Sequence, residues 1–187
     1  MNIRYRDIVK AVRHSRKIIL IVGTVIGAIV CTLVSVELAD SRYGVPLALA
    51  AFITVFIGLL INFLAVGKRL EKMWANVGSP DTDEIEKMLG SAVCLESGNI
   101  MLLLTDETVL NFETIRAYRL TDITELYRTA STDEGSVISY DIAVKCGGYP
   151  FKGDTLTFVK AEERDAAFDM ILQAYRTAGG TEKITEH

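Results

Sequence analysis

The chain reads as an α+β membrane protein: an N-terminal transmembrane helical hairpin, then a small β-barrel or sandwich closed by a C-terminal helix. Three observations predict this. Two uncharged apolar runs lie in the first third, a series of short β-like segments punctuated by turn residues fills residues 91 to 159, and the apolar period lengthens to a helical one after Ala161. Half of the 187 residues are apolar and mean hydropathy is +0.28, an excess that an ordinary soluble domain of this length does not carry.

The runs are Ile18 to Val36 and Val45 to Val66, 19 and 22 residues without Asp, Glu, Lys or Arg. As helices they extend roughly 28 and 33 Å, against a hydrocarbon core of about 30 Å. A secretory signal is the rival reading of the first run. Signal cores are usually about 7 to 15 residues, and Val34-Ser35-Val36-Glu37 lacks the small-residue pattern of a cleavage site, so an uncleaved hairpin is expected. Residues 1–17 hold Arg4, Arg6, Lys10, Arg13, Arg16 and Lys17 against Asp7 alone, and Lys68, Arg69 and Lys72 follow the second run. The connecting loop offers only Arg42, with Glu37 and Asp40. Positive flanks mark the inner side, which predicts a multi-pass plasma-membrane protein with both termini in the cytoplasm. The six basic residues of the first segment are candidates for contact with anionic lipid headgroups, and Ile3, Ile8 and Val12, with Tyr5, form a weak apolar side. Tyr43 and Trp74 fit interfacial aromatics, although Trp74 fits packing on the soluble domain equally well.

Small residues recur every fourth position in both runs: Gly23, Gly27, Cys31 and Ser35 in the first, Ala50, Thr54, Gly58 and Asn62 in the second. That spacing lines one helix face and lets backbones approach closely. Gly23, Gly27, Cys31, Thr54, Gly58 and Asn62 are therefore candidate helix-packing positions, either within the hairpin or in a homodimer; the motif does not choose. Asn62 is near the end of its run, where an amide reaches another helix or headgroup water at low cost.

Residues 67–89 read as a helical stalk to about Asn76, a stop at Gly78-Ser79-Pro80, and a short helix over Asp83 to Leu89. Asp81 or Thr82 is its N-cap, and Asp83, Glu84 and Glu86 face its N-terminal dipole. The acids lack the Gly and distal Glu of a calcium loop. Residues 90–180 form the soluble domain, with strands over Ser91 to Glu96, Ile100 to Thr105, Thr108 to Phe112, Ala117 to Leu120, Ile123 to Arg128, Val137 to Lys145 and Thr155 to Val159. Thr129 to Gly135 reads as a polar loop. Over Ala161 to Ala178, Ala167, Phe168, Ile171, Leu172 and Tyr175 make one face of a helix that ends at Gly179-Gly180, and 181–187 is a polar tail.

Met101-Leu-Leu-Leu-Thr-Asp-Glu-Thr-Val-Leu-Asn-Phe112, followed by Arg119-Leu-Thr-Asp-Ile-Thr-Glu-Leu-Tyr127, resembles the bacterial two-helix membrane proteins with a cytoplasmic pleckstrin-homology-like (PH-like) domain. The family has no assigned function. The resemblance covers about residues 90 to 178 and the hairpin, and it implies a seven-stranded PH-like fold plugged by its helix, in a bacterial plasma membrane. Phosphoinositide-binding PH domains place basic residues in the loop between their first two strands; here that loop is Ser97-Gly98-Asn99 beside Glu96. Residues 67–187 hold 13 Lys and Arg against 21 Asp and Glu, which argues against inositol phosphates and nucleic acid as ligands.

No catalytic constellation is legible. The two histidines, His14 and His187, lie outside the domain, and the Gly147 to Gly153 loop matches no phosphate-binding pattern. Cys31, Cys94 and Cys146 have neither disulfide nor metal spacing, so no cofactor or metal is expected and a reducing compartment fits. Cys94 reads as buried core and Cys146 as part of an exposed turn, while Asp122, Asp141 and Asp154 read as turn and surface acids. The expected function is non-enzymatic: a membrane-anchored module that binds a protein partner of unknown identity or acts as a regulatory adaptor. The alternative is an accessory subunit of a transporter or secretion assembly, contacted through its hairpin.

Overall fold

The computed structural model describes residues 3–38, 43–78, 81–133, 136–147 and 153–179. It is α+β, with two long apolar helices followed by two antiparallel sheets and a C-terminal helix. Two compact units result, one of residues 9–70 and one joining residues up to Ile8 with those from Glu71 onward.

In the first unit, α1 spans Tyr5–Glu37 and α2 spans Gly44–Leu64, each long and apolar enough to cross a membrane. The basic segment is thus the first turns of the same helix that carries the first apolar run. Side chains such as Ile21, Leu33, Leu47 and Ile61 are more than half exposed. The two helices meet through glycines. A Cβ on Gly23 would lie 2.8 Å from Leu59, and one on Gly27 3.2 Å from the ring of Phe52, so both glycines make room for a large side chain of α2. A Cβ on Gly44 would collide with Leu38, which restricts that position to glycine. The stalk begins one residue after α2, as α3 (Val66–Asn76), and Arg69 donates to Asn62 Oδ1 at 2.6 Å.

The second unit contains α4 (Thr82–Gly90), a four-stranded meander β1 to β4 (Val93–Glu96, Asn99–Leu104, Thr108–Asn111, Arg116–Arg119), a three-stranded meander β5 to β7 (Ile123–Asp133, Ser136–Cys146, Asp154–Phe158), and α5 (Ala161–Thr177). Strand periodicity explains the core. Leu102 and Leu104 of β2 and Val109 of β3 join Leu126, Ile142, Val144, Leu156 and Phe158 of the second sheet, and α5 covers them with Ala167, Phe168, Ile171 and Tyr175. Gly179, at φ 85°, ends α5 in the left-handed conformation that favours glycine.

The first sheet is buried on its other face as well. Cys94, Leu103, Leu110 and Ala117 pair in a row across it, and Leu103 and Leu110 are fully buried. A helical layer lies there: Ile85 and Leu89 of α4 and Met73 and Trp74 of α3 are buried, and Trp74 packs on Phe112 at 5.9 Å between centroids. Residues 3–8 belong to this layer. Ile3 and Ile8 are buried, and the ring of Tyr5 meets Trp74 edge-on at 5.9 Å. Ile3, Tyr5 and Ile8 of the basic segment's apolar side are therefore covered by protein, and Trp74 packs on the domain.

Four expectations are corrected. Thr129 to Asp133 is strand, because β5 and β6 pair as a ribbon out to Asp133 and Ser136, and main-chain hydrogen bonds need no apolar alternation. Asp141 is buried and accepts from Ser131 Oγ at 2.7 Å and Ser139 Oγ at 3.3 Å. The Asp154 side chain is 5% exposed and is held by partners from the first sheet. Cys146 ends β6 half-buried. Ser79, Pro80, Asp40, Arg42, Gly148 to Lys152 and the tail lie outside the described residues.

Candidate binding groove

Three segments converge at one end of the second unit: the edge strand β1, the turn between β2 and β3, and the C-terminal half of α5. β1 is outermost in its sheet and, among the described residues, its main chain pairs only with β2. Val93 on that edge is 53% exposed. The turn is held rigidly, since Thr105 N donates to Thr108 O at 2.9 Å and Thr108 N to Thr105 Oγ1 at 3.0 Å, with both threonines buried. Its tip therefore presents the exposed carboxylates of Asp106 and Glu107 in fixed positions.

Two cavities meet there. The first, about 490 Å³, lies between β1 and α5 and is lined by Val93, Leu104, Met170 and Ala174. The second, about 540 Å³, is lined by Glu107, Thr108, Arg119 and Met88. Asp106 and Thr177 border both, so the two form one groove, apolar along β1 and charged at the turn. Arg119 is opposite Thr108 in the ladder, and its side chain makes no hydrogen bond or ion pair with a described residue.

The other flank of α5 is closed. Arg128 of β5 stacks on Phe168 at 4.0 Å and pairs with Asp165 at 3.2 Å and Asp169 at 3.0 Å. Arg164 donates to the Thr129 carbonyl at 3.2 Å, which bridges β5 to the helix. The described cavity beside α5 is on its β1 side.

A polar cluster joins the two sheets elsewhere. Asp154 Oδ2 accepts from Asn111 Nδ2 at 2.9 Å and Thr114 Oγ1 at 2.8 Å, while Arg116 reaches Gly153 O at 2.8 Å and Asp154 Oδ1 at 3.4 Å. Burial first, and then Asp154 beside it, pushes the Tyr118 phenol well above its ordinary range, so it stays neutral. Ile115 in the same turn has φ 57°, a left-handed conformation costing roughly 1–2 kcal/mol, which burial of its side chain offsets at about the same size. Each Asp154 oxygen is occupied within the protein, which makes the cluster an inter-sheet clasp.

The remaining sequence candidates separate by position. Gly23 and Gly27 meet α2, and Cys31 borders an apolar cavity of about 250 Å³ between the two helices. Thr54 is exposed and donates back to Ala50 O at 2.8 Å, and a Cβ on Gly58 would touch nothing within 4 Å. Asn62 accepts from Arg69. Arg4, Arg6, Lys10, Arg13 and Lys17 are exposed and Arg16 is partly so. Sequence reasoning set Glu86 at the N-terminal dipole of its own short helix and missed that its Oε1 accepts from Tyr5 N at 2.9 Å; it also missed Arg119, whose side chain has no ion-pair partner among the described residues. Burial pushes the Cys146 thiol up to about 11, with Asp122 and Asp154 adding to it, and burial also raises Cys94. Among the described residues no three His, Cys, Asp or Glu side chains converge on a metal position. No family model, curated protein or solved structure matches the chain.

Proposed function

We propose that the chain is a membrane-anchored, non-enzymatic binding module: a hairpin crossing the plasma membrane twice and a cytoplasmic PH-like domain that engages a protein partner. The observation that carries the reading is the open groove between β1 and α5, an apolar cavity bordered by exposed carboxylates. Membrane insertion is supported by the apolar exposure of α1 and α2, almost none of which is buried; water does not tolerate apolar surface on that scale. Two crossings return the chain to the side it left, and residues 3–8 do fold into the same unit as residues 71–179. Positive flanks then assign that side to the cytoplasm. The order of a four-stranded meander, a three-stranded meander and a C-terminal helix supports a PH-like domain of the bacterial two-helix kind.

A second reading, an accessory subunit held through its hairpin, is favoured by the face of α2 bearing Ala50, Thr54 and Gly58, which the hairpin leaves exposed. Mild-detergent purification at native expression level, with mass spectrometry and particle mass, separates the two. A stoichiometric partner that persists in Thr54→Leu and Gly58→Leu supports the module; one lost in those variants, with the soluble unit folded, supports the subunit. Recovery of the chain alone contradicts the subunit and confines the module to partners that dissociate during purification.

A further inference from the structure

We infer that the groove between β1 and α5 takes an extended peptide segment carrying an apolar side chain and, close to it, a lysine or arginine. The inference rests on the binding-module reading and names its partner's chemistry. Shape sets the first requirement. β1 has an open edge where a peptide main chain can lie, as in recognition by strand addition, and the adjoining cavity of about 490 Å³ is walled by Leu104, Met170 and Ala174. A methionine wall adapts to different apolar side chains.

Charge sets the second. Where the apolar cavity ends, Asp106 and Glu107 stand exposed on a turn fixed by two buried threonines, and the C-terminal turn of α5, with its negative dipole end, reaches Thr177 at the same point. These groups favour a cation. Arg119 lies beyond them without an ion-pair partner among the described residues, and its guanidinium fits a main-chain carbonyl of the same segment. The surplus of acids over bases across residues 67–187 repels acidic peptides and anionic headgroups and draws basic segments in.

The test uses the full chain in nanodiscs, panned with a displayed library of random linear peptides, and binding of the enriched sequence to wild type and variants. The expected consensus has an apolar residue within three positions of Lys or Arg. Its affinity falls at least tenfold in Asp106→Lys and in Gln173→Trp, both at exposed positions, while Trp74 emission stays native. An acidic consensus, or peptides whose binding ignores both substitutions, overturns the groove assignment and leaves the binding module standing. Failure to enrich any peptide over an unrelated nanodisc protein, with native Trp74 emission, contradicts the module itself.

Discussion

The main-chain N–H of Tyr5 donates to the carboxylate of Glu86 at 2.9 Å, tying the first residue of α1 to a helix 81 positions away. N–H groups in the first turn of a helix have no internal acceptor, and a carboxylate there also meets the positive end of the dipole. The contact ties residues 3–8 to the unit that begins at Glu71, and Trp74, the one tryptophan of the chain, reports on it.

Glu86→Ala is expected to lower stability by about 1.5–3 kcal/mol, the range for a hydrogen bond to a charged group, while Glu86→Gln keeps an acceptor and loses less. Tyr5→Ala should red-shift Trp74 emission, because the ring that covers one edge of the indole is gone. An unchanged spectrum and melting curve in both Glu86→Ala and Tyr5→Ala would show that residues 3–8 do not hold the domain.

Asp154 is the hub of the inter-sheet clasp. Asp154→Ala strands the amide of Asn111, which is fully buried, and is expected to cost about 2–3 kcal/mol. Asp154→Asn retains one acceptor and should fall between that variant and wild type. Urea titration followed by Trp74 emission measures both, and a loss below about 0.5 kcal/mol for the alanine variant is incompatible with the clasp.

Cys146 should behave as a protected thiol. Raised from 9.0 to about 11, it holds about 100-fold less thiolate at pH 8 than an ordinary cysteine. In a Cys31→Ser, Cys94→Ser background, its alkylation rate is expected to climb about tenfold per pH unit until near pH 11. The protonated thiol is the form the fold favours. Its contribution to stability is complete below about pH 9 and declines as pH rises toward 11. Rapid labelling of the folded protein at pH 7 would mean the sulfur is not buried.

In the hairpin, Gly23→Leu and Gly27→Leu are expected to force α1 from α2, since Leu59 and Phe52 fill the space that the new side chain needs. Gly58→Leu should leave the hairpin intact, because nothing lies within 4 Å of its Cβ position. Intramolecular crosslinking between engineered cysteines on α1 and α2 follows the separation, and equal loss at all three glycines would contradict this packing.

Much of the soluble unit was legible because its turns announce themselves. Ser97-Gly98 and Asp106-Glu107 separate short apolar runs of strand length, and the face of α5 stands at helical spacing. The outer half of β5 was not legible: Thr129-Ala130-Ser131-Thr132-Asp133 is exposed on both faces, so no burial pattern marks it as strand. The buried carboxylates were hidden for a different reason. Asp154 finds its partners about 40 residues earlier, and no local pattern records them. For the helix-packing stripe, four-residue spacing shows that Thr54, Gly58 and Asn62 share a face of α2 but not which face meets α1. Ala48, Phe52 and Val55 border the cavity shared with α1, and Leu59 fills the space at Gly23.

The central claim is that the hairpin crosses the membrane and leaves residues 3–8 and the soluble unit together in the cytoplasm. Its most direct test is labelling of single cysteines at Arg4, Tyr43 and Thr132, in a chain with its own cysteines replaced, by a membrane-impermeant maleimide on intact cells and on inverted vesicles. The account predicts that Tyr43→Cys reacts from outside only, and Arg4→Cys and Thr132→Cys from the cytoplasmic face only. Labelling of Arg4→Cys and Thr132→Cys from opposite faces, or of all three from one face, would contradict it.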